Sequence, residues 1–585
     1  MEGKGKSNVL WGPVKLVCKK RMLSIHNRME KLYGKENAGL LLERLYFMLG
    51  RYGVDGGEAG GGGSRWDGKD VVLVTYPDQV KKKGEPPLKT LGRFCQEHLS
   101  GLVSTVHILP FFPWSSDDGF SVMDYREVDR DYGSWDDIRQ IGDNFGLMFD
   151  LVLNHCSAQG RWFRDYLVGI EPARHYFIEM SPGMDLSAVV RPRTTPLLTE
   201  ALTREGRSFI WTTFGADQVD LDWKNPDVLF EFLDILLFYI SQGCKVVRLD
   251  AVAFLWKKPG SNCLHLEETH EVVKLLRDFI EIVAPGVVLL TETNVPNEEN
   301  ISYFGDGRDE AHMVYQFALP PLLLHGLLNG TSEHLRQWAG SLPELSPGCT
   351  FLNFTASHDG IGLRPLQDIL GEEEITVLVE SIEERGGKVS YRAMEDGSES
   401  PYELNITYLS ALDEPDNPGM GELRFLCSQA LALSLQGVPA IYFQSLVGAE
   451  NDIHGLNATG RHRSINRQKW SESRLKKRLG SPRNRQSAIF QKIRHFLEIR
   501  AAEPAFHPSA GQQVLDFGNR VFAVLRQSSN PNSSVLCLYN FTSSKQALPP
   551  MENNAATDLL TGDVCPEGGP TMLLPYQALW LRYTI

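Results

Sequence analysis

Apolar and polar positions along the chain fall into a recurring unit, a short apolar run that stops abruptly at polar residues and is followed by a helix-length segment. The run from Leu147 leads to Asn154 and His155, the run from Lys245 carries Arg248 and Asp250 and then stops, the run from Val287 leads to Glu292, and the run from Cys349 leads to His358 and Asp359. Continuous rather than alternating apolar runs predict strands buried on both faces, the pattern of a parallel sheet covered by helices. Further strands are predicted from Val71 to Tyr76 and from Gly437 to Phe443. The segment after Asn225 reads as a helix, with Asn225 as cap, Pro226 in the first turn and Gly243 beyond the end. The expected fold class is α/β, a (β/α)8 TIM-type barrel with inserted domains and a small C-terminal β-sandwich.

The pattern divides the chain further. Residues 1–68 read as an N-terminal extension: 25–52 is helical, with Leu32, Leu40, Leu41, Leu42, Leu45 and Leu49 as its apolar stripe, and Gly53 to Gly63 is a flexible linker. The barrel is expected over 69–155 and 216–506. An inserted domain, 156–215, follows the third strand and contains Pro182, Pro192 and Pro196. A second insertion, 366–420 after the seventh strand, is acidic and shows no regular period. Short alternating runs, Val521 to Leu525 and Val535 to Tyr539, predict the β domain over 507–585.

The polar strand ends carry the candidate chemistry. Alternate strand residues share a face, so Arg248 and Asp250 project side by side. At the C-terminal mouth of a parallel strand, such a pair reads as a carboxylate held ionised by a fixed cation. Glu292 and Asp359 add two carboxylates at equivalent strand ends. That set suits cleavage of a glycosidic bond, in which one acid protonates the leaving oxygen while another attacks the anomeric carbon.

Asp150-Leu-Val-Leu-Asn-His155, Arg248-Leu-Asp-Ala-Val252, Thr291-Glu-Thr293 and Ser357-His-Asp359 occur in the order found in the α-amylase-type barrel enzymes, which the chain resembles. The resemblance implies Asp250 as nucleophile, Glu292 as general acid/base and Asp359 as the carboxylate that stabilises the oxocarbenium-like transition state, with His155, Arg248 and His358 lining the glucose subsite. Val106 to Phe112, Asp117-Asp-Gly-Phe120, Tyr315 to His325, Ser357 to Gly362 and Arg463-Ser-Ile-Asn-Arg467 resemble the sucrose phosphorylase branch, a likeness that runs from about residue 70 to the end. It implies that Asp117 and Arg463 hold glucose, that Phe120, Phe214 and Phe254 form apolar walls, and that Arg193 binds phosphate. Arginine suits that last role because its fork grips two phosphate oxygens.

Asn294 stands where a sucrose phosphorylase carries a histidine, so the leaving-group subsite differs. Thr291 to Gly305, Asn353 to Pro365 and the N-terminal extension are most similar to the glucosylglycerate phosphorylase subgroup. An acceptor bearing a carboxylate favours one more cation, and Arg364, five residues after Asp359, is the first candidate, with Arg461 and His462 as competitors. The implied activity is that of a retaining glycoside phosphorylase, moving glucose from an α-glucoside, 2-O-α-glucosylglycerate first, to phosphate to give α-glucose 1-phosphate. Alternatives are a sucrose, sucrose 6-phosphate or glucosylglycerol phosphorylase, an α-glucosidase or transglucosidase and, more distantly, a non-catalytic binding protein on the same barrel. The resemblance implies no cofactor and no metal, with Asn154 as a hydrogen-bonding strut.

Composition narrows the partners. A net charge of −14 over 585 residues argues against nucleic acid and anionic membranes, and makes any phosphate site a local positive pocket. No apolar run approaches the length that spans a bilayer. The nine cysteines are dispersed, which suggests free thiols in a reducing compartment. The expected partners are a small-molecule glucoside and inorganic phosphate, with a homodimer permitted. The expected location is cytoplasmic, with Lys4, Lys6, Lys15, Lys19, Lys20 and Arg21 leaving organelle targeting as the alternative.

Overall fold

A computed structural model describes residues 16–52, 65–394, 398–414, 416–528, 534–550, 556–565 and 569–583. Eight strands close into a barrel in sequence order: β1 (Val72–Thr75), β2 (Thr105–Ile108), β3 (Gly146–Val152), β4 (Cys244–Asp250), β5 (Val288–Thr291), β6 (Met313–Tyr315), β7 (Thr350–Phe354) and β8 (Val438–Tyr442). Every neighbouring pair is parallel, and β8 closes on β1. The apolar runs are continuous because barrel residues are buried whether they point into the barrel or towards the surrounding helices. Register then places the chemistry: Arg248 of β4 lies opposite Asp150 of β3 and Leu290 of β5, two residues below Asp250.

Helix α3 (Pro226–Ser241) begins as its sequence predicts, the Asn225 side chain accepting a hydrogen bond from the Asp227 N–H. Helix α4 (Glu267–Val283) precedes β5. The segment after β3 forms a three-stranded sheet, built from Glu179–Met180, Leu198–Thr203 and Gly206–Trp211, before rejoining the barrel. The segment after β7 differs from its expected irregularity. It holds a helix, Glu372–Glu384, that buries Leu378, Val379 and Ile382, then an antiparallel pair, Lys388–Ala393 with Glu399–Asn405. Its apolar stripe is one turn wide and diluted by glutamates, so the helical period is faint.

The C-terminal region folds as a six-stranded antiparallel sheet with a separate two-stranded sheet. Its second strand, Val521–Gln527, shows why it alternates: Phe522 and Val524 join the main core, whereas Val521 and Ala523 join a smaller core on the opposite face.

The N-terminal extension forms two helices rather than one, α1 (Leu16–Tyr33) and α2 (Lys35–Arg51), with the break at Gly34, whose φ of 86° favours glycine. The expected stripe is corrected at Leu40, which is exposed, while Leu41, Leu45 and Leu49 are buried. Both helices dock on the barrel's outer ring. Arg28 donates to Glu271 at 2.9 Å and to Asp278 at 3.0 Å, both on α4, and Lys31 reaches Glu271 at 2.7 Å. Arg44 of α2 stacks over Phe230 of α3, 4.2 Å from the ring centre. The glycine linker at 53–63, together with Lys4, Lys6 and Lys15, lies outside the described residues. No described helix is long and apolar enough to cross a membrane, and the described cysteines from Cys95 to Cys565 are free.

Removing Arg28 deprives two buried carboxylates of a partner, a loss of about 1–3 kcal/mol. Arg28→Ala should therefore speed limited proteolysis within residues 16–52 by about tenfold or more, leaving cleavage of the barrel unchanged. An unchanged rate would mean that the apolar stripe alone holds the hairpin.

Candidate active site

The C-terminal ends of β3, β4, β5 and β7 converge on one pocket. Its wall includes Asp117, Phe120, His155, Arg193, Phe214, Arg248, Asp250, Glu292, Asn294, His358, Asp359 and Arg463. Arg248 is the hub. Its Nη1 donates to Asp150 Oδ1 and to Asp250 Oδ1, each at 2.6 Å, and its Nη2 stands 3.9 Å from Glu292 Oε2. Asp150 is in turn hydrogen-bonded by His107 Nε2 at 2.7 Å. The Ala251 N–H donates to Glu292 Oε2 at 2.8 Å. Ala251 has φ of 50°, a left-handed conformation that costs a non-glycine residue energy and turns the chain sharply after Asp250.

Arg463 ties a second group together. Its Nε and Nη2 donate to the two oxygens of Glu403 at 2.9 and 2.6 Å, while Nη1 reaches Asp359 at 2.7 Å and stands 3.7 Å from Asp117. Asp117 and Asp118 both have positive φ, and Arg467 holds their turn through Asp118 at 2.5 Å and the His358 carbonyl at 2.9 Å. His358 stacks on Phe120, ring centres 4.7 Å apart and 4° from parallel. His155 Nε2 donates to the Phe120 carbonyl at 3.0 Å. These contacts fix Phe120 and His358 in the wall of the pocket that also holds the carboxylates.

Burial and charge separate the acids. Burial, reinforced by Asp250 and Asp359 and opposed by Arg248, pushes the Glu292 carboxyl up to about 7. Burial also raises Asp250 against the pull of Arg248 and His155, which corrects the expectation that Arg248 alone holds this carboxylate ionised: the guanidinium limits the rise without reversing it. At Asp359 the burial penalty is outweighed by Arg463, Arg248 and Arg467, so its pKa falls below the ordinary value. Burial, with Arg248 and Arg467, drives His358 well below the usual imidazole value and keeps it neutral. A carboxyl poised near neutrality beside one held ionised is the arrangement that general acid–base chemistry needs.

The expected site residues do not all meet. Phe254 is absent from the pocket wall and packs edge-on behind Phe214, ring centres 5.4 Å apart. Arg364, expected on the acceptor side, does not line the pocket either; its Nη2 stands 3.6 Å from Glu299. The short strand Ile361–Gly362 pairs with Leu404 and Glu403 and so intervenes between Asp359 and Arg364. Arg461 and His462 are exposed and line an outer cavity that shares Asp117, Arg193, Phe214 and Arg463 with the inner pocket. Asn154 Oδ1 accepts from Lys257 Nζ at 2.6 Å, and that ammonium also pairs with Asp220 at 2.5 Å, so a lysine occupies the space between these oxygens.

Sequence reasoning missed Gln218, Tyr402 and Glu403, all in the wall. Glu403 gave little signal, since it falls on the polar side of an alternating strand, Tyr402-Glu-Leu-Asn-Ile-Thr-Tyr408, with Asn405 and Thr407. Glycines admit its strand to the pocket. A Cβ at Gly360 would lie 2.5 Å from Glu403 Cγ, and one at Gly362 would lie 2.5 Å from Asn294 Oδ1.

The elevated Glu292 acid can be read directly. In infrared difference spectra between the unmodified protein and Glu292→Gln, the protonated-carboxyl band should titrate with a midpoint near 7. A midpoint at the ordinary 4.5 would show that water or Arg248 cancels the effect of burial.

Comparison with known proteins places this geometry in a family. Residues 99–326 match the α-amylase catalytic domain. The chain is 49% identical over 521 residues to a glucosylglycerate phosphorylase of Spirochaeta thermophila, covering 88% of each. It is 43% identical to a glucosylglycerate phosphorylase of Escherichia coli, over 88% of this chain and 92% of that one. Among solved structures, the sucrose 6F-phosphate phosphorylase from Thermoanaerobacter thermosaccharolyticum superposes with a TM-score of 0.71 at 25% identity, over 83% of this chain and 95% of the other. The chain belongs to the α-amylase family of barrel enzymes, in the glycoside phosphorylase branch that includes the glucosylglycerate phosphorylases.

Proposed function

We propose that the chain transfers glucose from 2-O-α-glucosylglycerate to phosphate, with release of glycerate and α-glucose 1-phosphate. In the first step Glu292 gives its proton to the glycosidic oxygen as the Asp250 carboxylate attacks the anomeric carbon, which breaks the bond to glycerate and forms a β-glucosyl ester. In the second step a phosphate oxygen attacks the same carbon, Glu292 takes the proton of the incoming group and Asp250 leaves. Two inversions give net retention. Contact of both carboxylates with one guanidinium supports a nucleophile and acid set close together, as a retaining enzyme needs. Asp359 and Arg463 are assigned to the glucose hydroxyls, and Asp359 to the developing positive charge.

The observation that carries phosphorolysis over hydrolysis is Arg193. It lines the wall of both the inner pocket and the outer cavity, where an attacking group enters. Among the described residues, no carboxylate pairs with it, so its charge is available to an anion. The glucosylglycerate phosphorylases at 43–49% identity support glycerate as the group exchanged.

Incubation with phosphate and, separately, glucosylglycerate, glucosylglycerol, sucrose and sucrose 6-phosphate should yield glucose 1-phosphate fastest from glucosylglycerate. Free glucose formed at the same rate without phosphate would make the chain a hydrolase. Since Glu292 must be protonated for the first step, kcat/KM for the glucoside should fall as pH rises through about 7. Asp250→Asn should lower turnover by about a thousandfold or more.

A further inference from the structure

Most arginines near the pocket are already committed to carboxylates. Arg248 serves Asp150 and Asp250. Arg463 divides its guanidinium between Glu403 and Asp359. Arg467 holds Asp118, and Arg364 faces Glu299 outside the wall. Pairing with a carboxylate offsets the charge of Arg248, Arg463 and Arg467, whereas Arg364 stands 3.6 Å from a half-exposed Glu299 and keeps a buried Nε without a partner, but lies outside the pocket wall.

Arg193 differs in lining the pocket without a carboxylate pair among the described residues. Its guanidinium carbon lies over the face of Tyr402, 5.8 Å from the ring centre. Its charge lowers the pKa of Asp359, Glu403 and Tyr402, which places it against the pocket rather than in solvent. Glu403, the acid nearest in sequence to Tyr402, is gripped by Arg463 through both oxygens, so it does not draw Arg193 away.

Reaction geometry brings both anions to the same point. The leaving oxygen of glycerate and the attacking oxygen of phosphate occupy the same side of one anomeric carbon and share Glu292 as their acid or base. In glycerate the carboxylate carbon is two bonds from the reacting oxygen; in phosphate the phosphorus is one bond from it. A cation placed to grip one charge is therefore placed to grip the other. Both are planar or forked arrays of oxygens that suit a guanidinium.

We propose that Arg193 receives both anions in turn, the carboxylate of glycerate in one half-reaction and phosphate in the other, so that the two compete for a single cation above the glucosyl-enzyme. This rests on the phosphorylase reading above and deepens it by naming how the acceptor is recognised. The acceptor class follows: small 2-hydroxy carboxylates, whose charge lies at the same remove from the reacting oxygen as that of glycerate.

The test uses α-glucosyl fluoride as donor, so that neither anion is needed to form the intermediate, and measures how the glucosyl group partitions between water, phosphate and glycerate. In the unmodified enzyme, glycerate and phosphate should each suppress capture by the other. Arg193→Ala should lower the phosphate-to-water and glycerate-to-water ratios together, each by roughly ten- to a hundredfold, as expected for loss of a charge-assisted hydrogen bond. Arg193→Lys, which keeps the charge but not the fork, should move both ratios in the same direction by less. Arg364→Ala should leave both ratios unchanged. Loss of phosphate capture with glycerate capture intact in either Arg193 variant would overturn the proposal, as would selective loss of glycerate capture in Arg364→Ala. If the unmodified enzyme released fluoride and passed glucose only to water, the phosphorylase reading itself would fail.

Discussion

The placement of Arg248 is the constraint on which the site depends. Its guanidinium lies inside a barrel where isolated charge is costly, so it is tolerable only because Asp150 and Asp250 flank it at 2.6 Å and His107 backs Asp150. Removing one partner from such a set would leave an uncompensated buried charge, typically at a cost of about 3–5 kcal/mol. The parallel register of β3 and β4 makes the arrangement possible by setting Arg248 directly opposite Asp150. Once Arg248 is fixed, Asp250 and Glu292 must share one cation. The residual repulsion between them, added to burial, raises Glu292 to about 7.

The barrel supplies the buried acids, and the loops and insertions supply the parts that choose what enters. Arg193 and Phe214 come from the excursion after β3, and Tyr402 and Glu403 from the paired strands after β7. Arg463 comes from a 3-10 helix, His462–Asn466, in the long connection after β8. Rigid strand ends thus hold the reacting groups, while longer connections surround the entrance, the usual division of labour in this architecture. The lysine between Asn154 and Asp220 serves the same rigidity, tying the end of β3 to the inserted segment with a buried ammonium.

The legible parts of the chain were those whose cause is local. Barrel strands announce themselves because each is apolar on both faces, and the four strand ends carry their polar residues within a few positions of the last apolar one. The cap of α3 and the alternation of the C-terminal sheet are local in the same sense. Arg364 lies outside the pocket wall although only five residues separate it from Asp359, because Ile361–Gly362 pairs in between with residues some forty positions later. Glu403 escaped for the same reason, since its place in the wall depends on that pairing and on Arg463. The two N-terminal helices were merged because only a backbone angle at Gly34 separates two stripes of similar composition.

The proposed reaction requires glucose to rest covalently on Asp250 between two acts of Glu292. Glu292→Gln incubated with α-glucosyl fluoride in the absence of phosphate tests it most directly, because fluoride departs without a strong acid while water then lacks its base. Mass spectrometry of the digested protein should find a glucosyl adduct on the peptide that contains Asp250, and added phosphate should discharge it as α-glucose 1-phosphate. An adduct on a different residue, or rapid turnover to β-configured product with no adduct, would contradict the account.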